Sequence, residues 1–292
     1  TGGLFGRISG ATITGVHVAS GSVSGKQYIG GVVGRSTAST ISDCINEASV
    51  TGTSSVIGGI CGNMENGGTI TGCVNKGTVG STESVGGIVG ATTGSTGTAV
   101  IKGCYNTGKV EMNSGNVGRI GGIIGDIGNN VSSPCLVEIL ACRNDGSISG
   151  NNLIGGIVGD NRTGAATPHT VTACYNMGEV DSGTGNGGGI CGRAYKITIT
   201  ACYHAGSMTG STKRYVLAVL QSGGSCSYAD CWYLEATGVS VAPSGVTGTA
   251  SAFTDSQWPS ASDNGWAVGN GTSGYWKSLG SYGGSYPTLY WE

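Results

Sequence analysis

The chain has 292 residues, of which 59 are Gly and only 10% are charged, and its formal net charge is −2. Gly weakens a helix interior by about 1 kcal/mol per residue, so glycines spread this evenly exclude a helix-rich or doubly wound enzyme. The nearly balanced charge and the short apolar runs predict no nucleic-acid partner and no membrane span in this chain.

A five-residue anchor, Gly-Gly-aliphatic-x-Gly, recurs along the chain. Its copies lie 28 to 35 residues apart and begin at Gly2, Gly30, Gly58, Gly86, Gly121, Gly155 and Gly188. Between anchors run short β-branched segments separated by Gly, Asn, Ser or Thr, a pattern typical of strands and turns. A single repeat of this length cannot stabilise itself. We therefore expect an all-β fold, a right-handed β-helix-like solenoid of about eight coils of 28–35 residues over residues 1–235.

One Cys per coil holds the same place in the repeat: Cys44, Cys73, Cys104, Cys142, Cys174 and Cys202, with a last copy at Cys231. Neighbouring coils lie about 4.8 Å apart, beyond the spacing that a disulfide prefers, so this ladder is expected to consist of buried free thiols. Local disulfides from Cys135 to Cys142, or from Cys226 to Cys231, remain open. No C-x-x-C occurs and the three His are dispersed, so no metal and no cofactor is predicted.

One Asn follows two residues after the Cys in five coils: Asn46, Asn75, Asn106, Asn144 and Asn176. Stacked amides that hydrogen-bond from coil to coil explain this column, because such ladders stabilise stacked parallel strands. A role of the same amides in binding sugar is the alternative.

The residues between Cys and Asn form a third column: Ile45, Val74, Tyr105, Arg143, Tyr175, Tyr203 and Trp232. Strand side chains alternate in direction, so this column points outward if the Cys ladder points inward. Tyr105, Arg143, Tyr175, Tyr203 and Trp232 are therefore candidate ligand-binding residues, since exposed aromatic rings stack on sugars or on a partner's apolar surface. The alternative is that other parts of the chain cover them and make a second small core.

Residues 236–292 leave the repeat pattern and hold four of the five Trp. Large aromatic side chains cover area well, so this region is predicted to be a C-terminal cap over an exposed coil edge. A separate small binding module is the alternative.

Asp126 and Asp160 follow consecutive anchors at the same position. Stacking brings them near the ~5 Å separation of the carboxylates in retaining glycosidases, although a solenoid places any like residues at such a spacing. Arg193, one coil further, favours a surface salt bridge. We nominate no catalytic residue and expect no enzyme, with a polysaccharide-acting enzyme and a metal site at this pair as alternatives.

The segments Gly86 to Gly90 and Cys104 to Val110, repeated over roughly residues 1 to 235, resemble the GLUG-motif repeats of bacterial surface proteins. The closing Tyr286 to Trp291 resembles C-terminal endings of such proteins. The resemblance implies an exported, adhesin-like protein at the cell surface, with a glycan or a host or matrix protein as its partner. It implies no catalytic residue. A passive stalk that displays another domain is a further alternative, because low charge and a regular coil suit it. The chain opens at Thr1 within a repeat, so a signal peptide and further repeats are expected upstream.

Overall fold

The computed structural model is an all-β solenoid in which neighbouring coils pair through parallel strands. It describes residues 1–54, 56–113, 118–128, 135–162, 168–210, 213–235, 239–240 and 247–292, and no helix occurs among them. In this described part of the chain, no helix therefore exists that could span a membrane. The prediction of an all-β solenoid is confirmed.

Each coil passes through three sheets. The first sheet contains the strands β1 (Phe5–Ser9), β2 (Thr12–Thr14), β3 (His17–Val18), β6 (Val33–Ser42), β7 (Ile45–Asn46), β10 (Cys61–Thr71), β11 (Val74–Asn75), β14 (Val89–Thr93), β15 (Thr98–Lys102), β16 (Tyr105–Asn106), β19 (Ile124–Ile127), β20 (Leu136–Leu140), β21 (Arg143–Asn144), β24 (Val158–Asn161), β25 (His169–Thr172), β26 (Tyr175–Asn176), β29 (Cys191–Thr200), β30 (Tyr203–His204), β33 (Ala218–Tyr233) and β34 (Thr247–Ala252).

The other two sheets have seven described strands each. The second sheet contains β4 (Ser22–Gly25), β8 (Ser49–Gly52), β12 (Val79–Ser81), β17 (Val110–Met112), β22 (Ile148–Ser149), β27 (Val180–Asp181) and β31 (Met208–Thr209). The third contains β5 (Ile29–Gly30), β9 (Val56–Gly58), β13 (Ser84–Gly86), β18 (Arg119–Gly121), β23 (Leu153–Gly155), β28 (Asn186–Gly188) and β32 (Lys213–Tyr215). The seven strands of each sheet correspond to seven complete turns, and β33 begins an eighth.

Equivalent repeat positions stack directly on one another. Val33 pairs with Cys61 and Cys61 with Val89, so the anchor residues keep one register from coil to coil. The parallel stack also continues beyond residue 235, the predicted end of the repeats, because β34 pairs with β33. Residues 236–238, at that predicted boundary, lie outside the described residues.

The second anchor glycine is required by close packing. A Cβ on Gly59 would lie 2.1 Å from the carbonyl oxygen of Gly87 in the next coil and 2.4 Å from Cγ of Asn75. Any side chain there would separate the coils or displace the buried Asn. The Gly-Gly anchor is thus a consequence of stacking the Asn ladder against the backbone.

Apolar residues fill two separate cores inside the coils. The larger core holds the Cys ladder and the anchor aliphatics such as Ile60 and Ile88. The smaller one lies between the second and third sheets and is built from residues such as Val79 and Ile120.

Residues 253–292 form what we call the strap, an irregular segment with one short antiparallel pair, β35 (Trp276–Ser278) and β36 (Thr288–Leu289). Its aromatic residues Trp266 and Trp276 form a third apolar cluster with residues on the outside of the solenoid.

Candidate functional site: a groove at one corner of the solenoid

The outer column, from Ile45 to Trp232, stacks in register on the outside of the coils as predicted. Its C-terminal half is buried: Tyr175, Tyr203 and Trp232 are 2%, 1% and 7% exposed. The rings of Tyr175 and Tyr203 stack with their centroids 4.5 Å apart and their planes 8° from parallel. The prediction of an exposed ligand platform is wrong for these three residues, because the strap covers them and makes the second small core.

The strap lies along the side of the solenoid, which corrects the prediction of a cap over the open edge of the last coil. The indole N–H of Trp266 donates to the carbonyl of Asp230, 2.6 Å away, and that of Trp291 donates to the carbonyl of Ala141, 2.8 Å away. Because Asp230 belongs to the eighth coil and Ala141 to the fifth, one strap ties at least four coils together.

Arg143 lies where the strap ends, and its guanidinium group pairs with two carboxylates of the same chain. Its Nε and Nη2 donate to the two carboxylate oxygens of Asp145 at 2.9 and 2.5 Å, and its Nη1 pairs with Glu292. The hydroxyl of Tyr175 donates to the same Glu292 carboxylate at 2.7 Å. The structure therefore places Arg143 in the seating of the strap, and nothing in this geometry assigns it to a ligand.

Tyr105 is the one candidate binding aromatic of the column that stays half-buried. Its hydroxyl donates to Asp145 at 2.7 Å, and its ring centroid lies 6.0 Å from that of Trp291. Burial, together with this hydrogen bond to a carboxylate, raises the pKa of Tyr105 to about 12, so it remains a neutral ring. Ile45 and Val74 continue the half-buried column towards the first coil.

A sharp corner precedes each Cys of the ladder, and the residue there takes a left-handed conformation, with φ between 48° and 67°. We call these residues the corner column: Gly15, Asp43, Gly72, Gly103, Ala141, Ala173, Ala201 and Asp230. Ala141, Ala173 and Ala201 are buried under the aromatic residues of the strap. The strap leaves Asp43 and Gly72 exposed. The corner residue is therefore Gly or Asp in the first four coils and Ala in the fifth to seventh, which the strap covers, while the covered eighth coil keeps Asp230.

The uncovered corner and the end of the strap enclose a groove of about 390 Å³, which we call the corner groove. Its walls are formed by Asp43, Thr71, Gly72, Lys102, Gly103, Tyr290 and Trp291. The carbonyl oxygens of Asp43, Gly72 and Gly103 accept no hydrogen bond from the part of the chain that the structure describes. The groove thus combines backbone carbonyls that lack a hydrogen-bond partner with aromatic side chains.

Lys102 projects from the end of β15 into this groove. Its ammonium group donates to the carbonyl of Gly271 at 2.9 Å and lies over the rings of Tyr275 and Tyr290, 5.8 and 5.9 Å from their centroids. An ammonium group has three donors, so two remain for a ligand.

Sequence reasoning missed Lys102, Asp43, Tyr290 and Trp291 as groove residues. Lys102 and Asp43 stand outside the columns that the repeat pattern singles out, and Tyr290 lies 188 residues after Lys102 in the sequence. The change from Gly to Ala at the corner column is a signal that could have located the covered coils.

Asp126 and Asp160 stack in register, as predicted, but both are fully buried. The guanidinium group of Arg193 donates two hydrogen bonds to the carboxylate of Asp160, at 2.7 and 2.5 Å. Arg119 and Arg162 form ion pairs with Asp126 at 3.4 and 3.5 Å. Burial, and then the neighbouring Asp160 carboxylate, raise the pKa of Asp126. This arrangement is a buried ion cluster rather than the surface salt bridge that the sequence favoured, and no sugar ring reaches the carboxylates.

The Cys ladder lies in the larger core, and all eleven Cys are buried free thiols. The local disulfides from Cys135 to Cys142 and from Cys226 to Cys231 do not form. Burial raises the pKa of Cys104, Cys142 and Cys174 well above the usual thiol value, which suppresses the reactive thiolate. Among the described residues, no cluster of His, Cys, Asp or Glu could hold a metal ion.

The Asn ladder is fully buried and runs in one direction. Each Nδ2 donates to the Oδ1 of the next coil at 2.6 to 2.8 Å, from Asn46 through Asn75, Asn106 and Asn144 to Asn176. Because no ligand reaches these amides, the prediction of a structural ladder holds and the sugar-binding alternative does not.

Both ends of the Asn ladder depart from the pattern. At one end Nδ2 of Asn176 lies 3.0 Å from Nδ1 of His204, so His204 must accept there and is neutral with its proton on Nε2. At the other end Oδ1 of Asn46 is buried without a partner, since Val18 occupies that position in the first coil.

The parallel coils, the thiol and amide ladders and the strap define this chain as a β-solenoid repeat protein. The family model of the GLUG motif matches residues 25–51. Residues at the positions of that motif recur in register in the other coils, so the chain is a β-solenoid repeat protein that contains a GLUG motif. No curated protein and no solved structure gave a significant match to it.

Proposed function

We propose that this protein is an extracellular bacterial surface protein that binds a ligand in the corner groove and acts in adhesion, without catalysis. The observation that carries the proposal is the groove itself. It joins two half-buried aromatic side chains, Tyr290 and Trp291, to an exposed carboxylate and an ammonium group with free donors.

The rest of the molecule suits such a role. GLUG-type repeats resemble those of surface proteins, and a stacked solenoid holds a site on a rigid support, because every coil is fixed by its neighbours. The eleven thiols are buried, so an oxidising exterior does not reach them. The strap orders one edge of the groove through contacts to several coils.

The experiment measures retention of the purified chain on immobilised mucin and on an extracellular-matrix preparation. Gly103→Ala and Asp43→Asn, which change two residues that line the groove, should lower binding at least tenfold. Glu179→Gln, an exposed position on the second-sheet side, is the control and should bind like the unaltered chain. Equal binding by all variants, or no binding by the unaltered chain, would contradict the proposal.

A further inference from the structure

We infer that the ligand of the corner groove is a neutral glycan, held with one pyranose ring against Tyr290 and Trp291 and with its chain running along the corner column. The inference rests on the proposed function and names the class of ligand for the same groove.

The polar groups of the groove call for a ligand that both donates and accepts hydrogen bonds. Asp43 offers a carboxylate, and the open carbonyls of Gly72 and Gly103 are further acceptors. Lys102 supplies two free donors and the Thr71 hydroxyl does either. Neighbouring hydroxyls on a sugar ring satisfy such a mixed set, because each hydroxyl donates one hydrogen bond and accepts others.

The apolar groups of the groove call for a flat face on the same ligand. Tyr290 and Trp291 are half-buried and both line the groove at the end of the strap, and the ring of Tyr105 lies next to that of Trp291. The C–H face of a pyranose stacks on such rings while its hydroxyls point sideways. An indole or phenyl side chain of a peptide would also stack, but its ring lacks the hydroxyls that a pyranose carries around its edge for the donors and acceptors of the groove.

The charges of the groove favour a neutral ligand. The single cation that lines it, Lys102, shares the groove with the carboxylate of Asp43, so the described lining has no net charge. A charged sugar therefore gains no net attraction from the lining as a whole, whereas burying its carboxylate against the rings costs more desolvation than burying a hydroxyl. A neutral glycan can hydrogen-bond to these groups without that cost.

The corner column gives the groove its direction. From Gly103 through Gly72 and Asp43 to Gly15 it crosses four coils, three steps of about 4.8 Å each. In the opposite direction the path ends at Ala141, where Trp291 lies on the corner. A glycan can therefore extend from the aromatic end towards the first coil.

Gly103→Ala is the sharpest test, because Ala already occupies the same left-handed corner in the next three coils. A Cβ there would lie 3.5 to 3.7 Å from Tyr290 and Trp291, so it fits the fold but fills the floor of the groove. Ala173→Gly, the reverse change under the strap, is the matched control. Asp43→Asn is the second variant, since Asn tolerates the left-handed conformation and removes only the charge.

Binding is measured by calorimetry against neutral hexose and N-acetylhexosamine oligosaccharides, a uronic-acid oligosaccharide and a Trp-containing peptide. The inference predicts that a neutral oligosaccharide binds, that Gly103→Ala and Asp43→Asn weaken it at least tenfold, that Ala173→Gly binds as the unaltered chain, and that the uronic-acid oligomer binds more weakly. Circular dichroism checks that each variant is folded.

Three outcomes overturn the inference. If the peptide or the acidic sugar binds in the groove and the neutral sugars do not, the class of ligand is wrong and the proposed function stands. If the panel shows no binding while a matrix preparation is still retained through the groove, the ligand is not a glycan. If neither the panel nor the preparations bind, the proposed function fails as well.

Discussion

The outer column is buried at one end of the molecule and half-buried at the other. In the sixth to eighth coils Tyr175, Tyr203 and Trp232 are buried by the strap, whereas in the second and third coils Ile45 and Val74 remain half-buried beside an open groove. The backbone and register of the two halves are the same, so the repeat does not decide between packing and binding. The strap decides it, and the fifth to seventh coils, which lie under the strap, carry Ala at the corner where the first four carry Gly or Asp.

The largest expected difference between the halves concerns stability. Tyr203→Ala should cost about 3–5 kcal/mol, because it empties a site that stacks on Tyr175 and donates a 2.7 Å hydrogen bond to the carbonyl of Pro287. Tyr105→Ala, in the open half, should cost less than that by a wide margin. Denaturant unfolding of the two variants measures this, and equal losses would erase the distinction between covered and open coils.

The covered coils should also lose stability in acid through one residue, His204. Burial lowers the pKa of His204 to about 4, below its ordinary value of 6.5, so the unfolded chain binds the proton first. Stability contributed by neutral His204 is complete above pH 6.5 and is lost as the pH falls towards 4, by about 3 kcal/mol. His204→Asn should abolish this loss, since Asn continues the amide ladder. Unfolding followed between pH 7 and 4 is the measurement, and an unchanged slope in the variant would refute it.

A rise in pH should lower the stability that the buried ion cluster contributes. The repeat position of Asp126 in the fifth coil is occupied by Asn63 and Ala91 in the open coils. The pKa of Asp126 is raised in the fold, so its proton stabilises the folded chain at low pH and that contribution is lost as the pH rises. Between pH 4 and 8 the free energy of unfolding of Asp126→Asn should therefore rise, relative to that of the unaltered chain, by more than about 1.4 kcal/mol, the equivalent of one pKa unit. If the free energies of unfolding of the two proteins change equally with pH, the pKa of Asp126 is not raised in the fold.

The smallest expected effect lies at the open end of the amide ladder. Oδ1 of Asn46 is buried without a donor because Val18 stands opposite. Val18→Asn should supply that donor and stabilise the chain by about 1 kcal/mol. Thermal unfolding with Val18→Ala as the control tests this. A variant no more stable than the control would mean that the ladder does not extend to the first coil.

Much of the fold could be predicted from the sequence, because stacking repeats one local pattern in a fixed register. The Cys and Asn ladders follow from a single slot per coil, and so does the outward direction of the column with Tyr175 and Tyr203. What the strap covers could not be predicted. Its contacts, such as Trp291 with Ala141, join residues 150 apart that share no periodicity. The groove depends on those contacts, so only the structure locates it.

The central claim is that one end of the strap is a binding surface and the rest is core, and the indole N–H signals of a ¹⁵N-labelled chain test it directly. On titration with a neutral oligosaccharide, the account predicts that the Trp291 signal shifts while those of Trp266 and Trp276, which are fully buried, stay in place. A shift of Trp266 or Trp276, or no shift of Trp291 when the sugar binds, would contradict it.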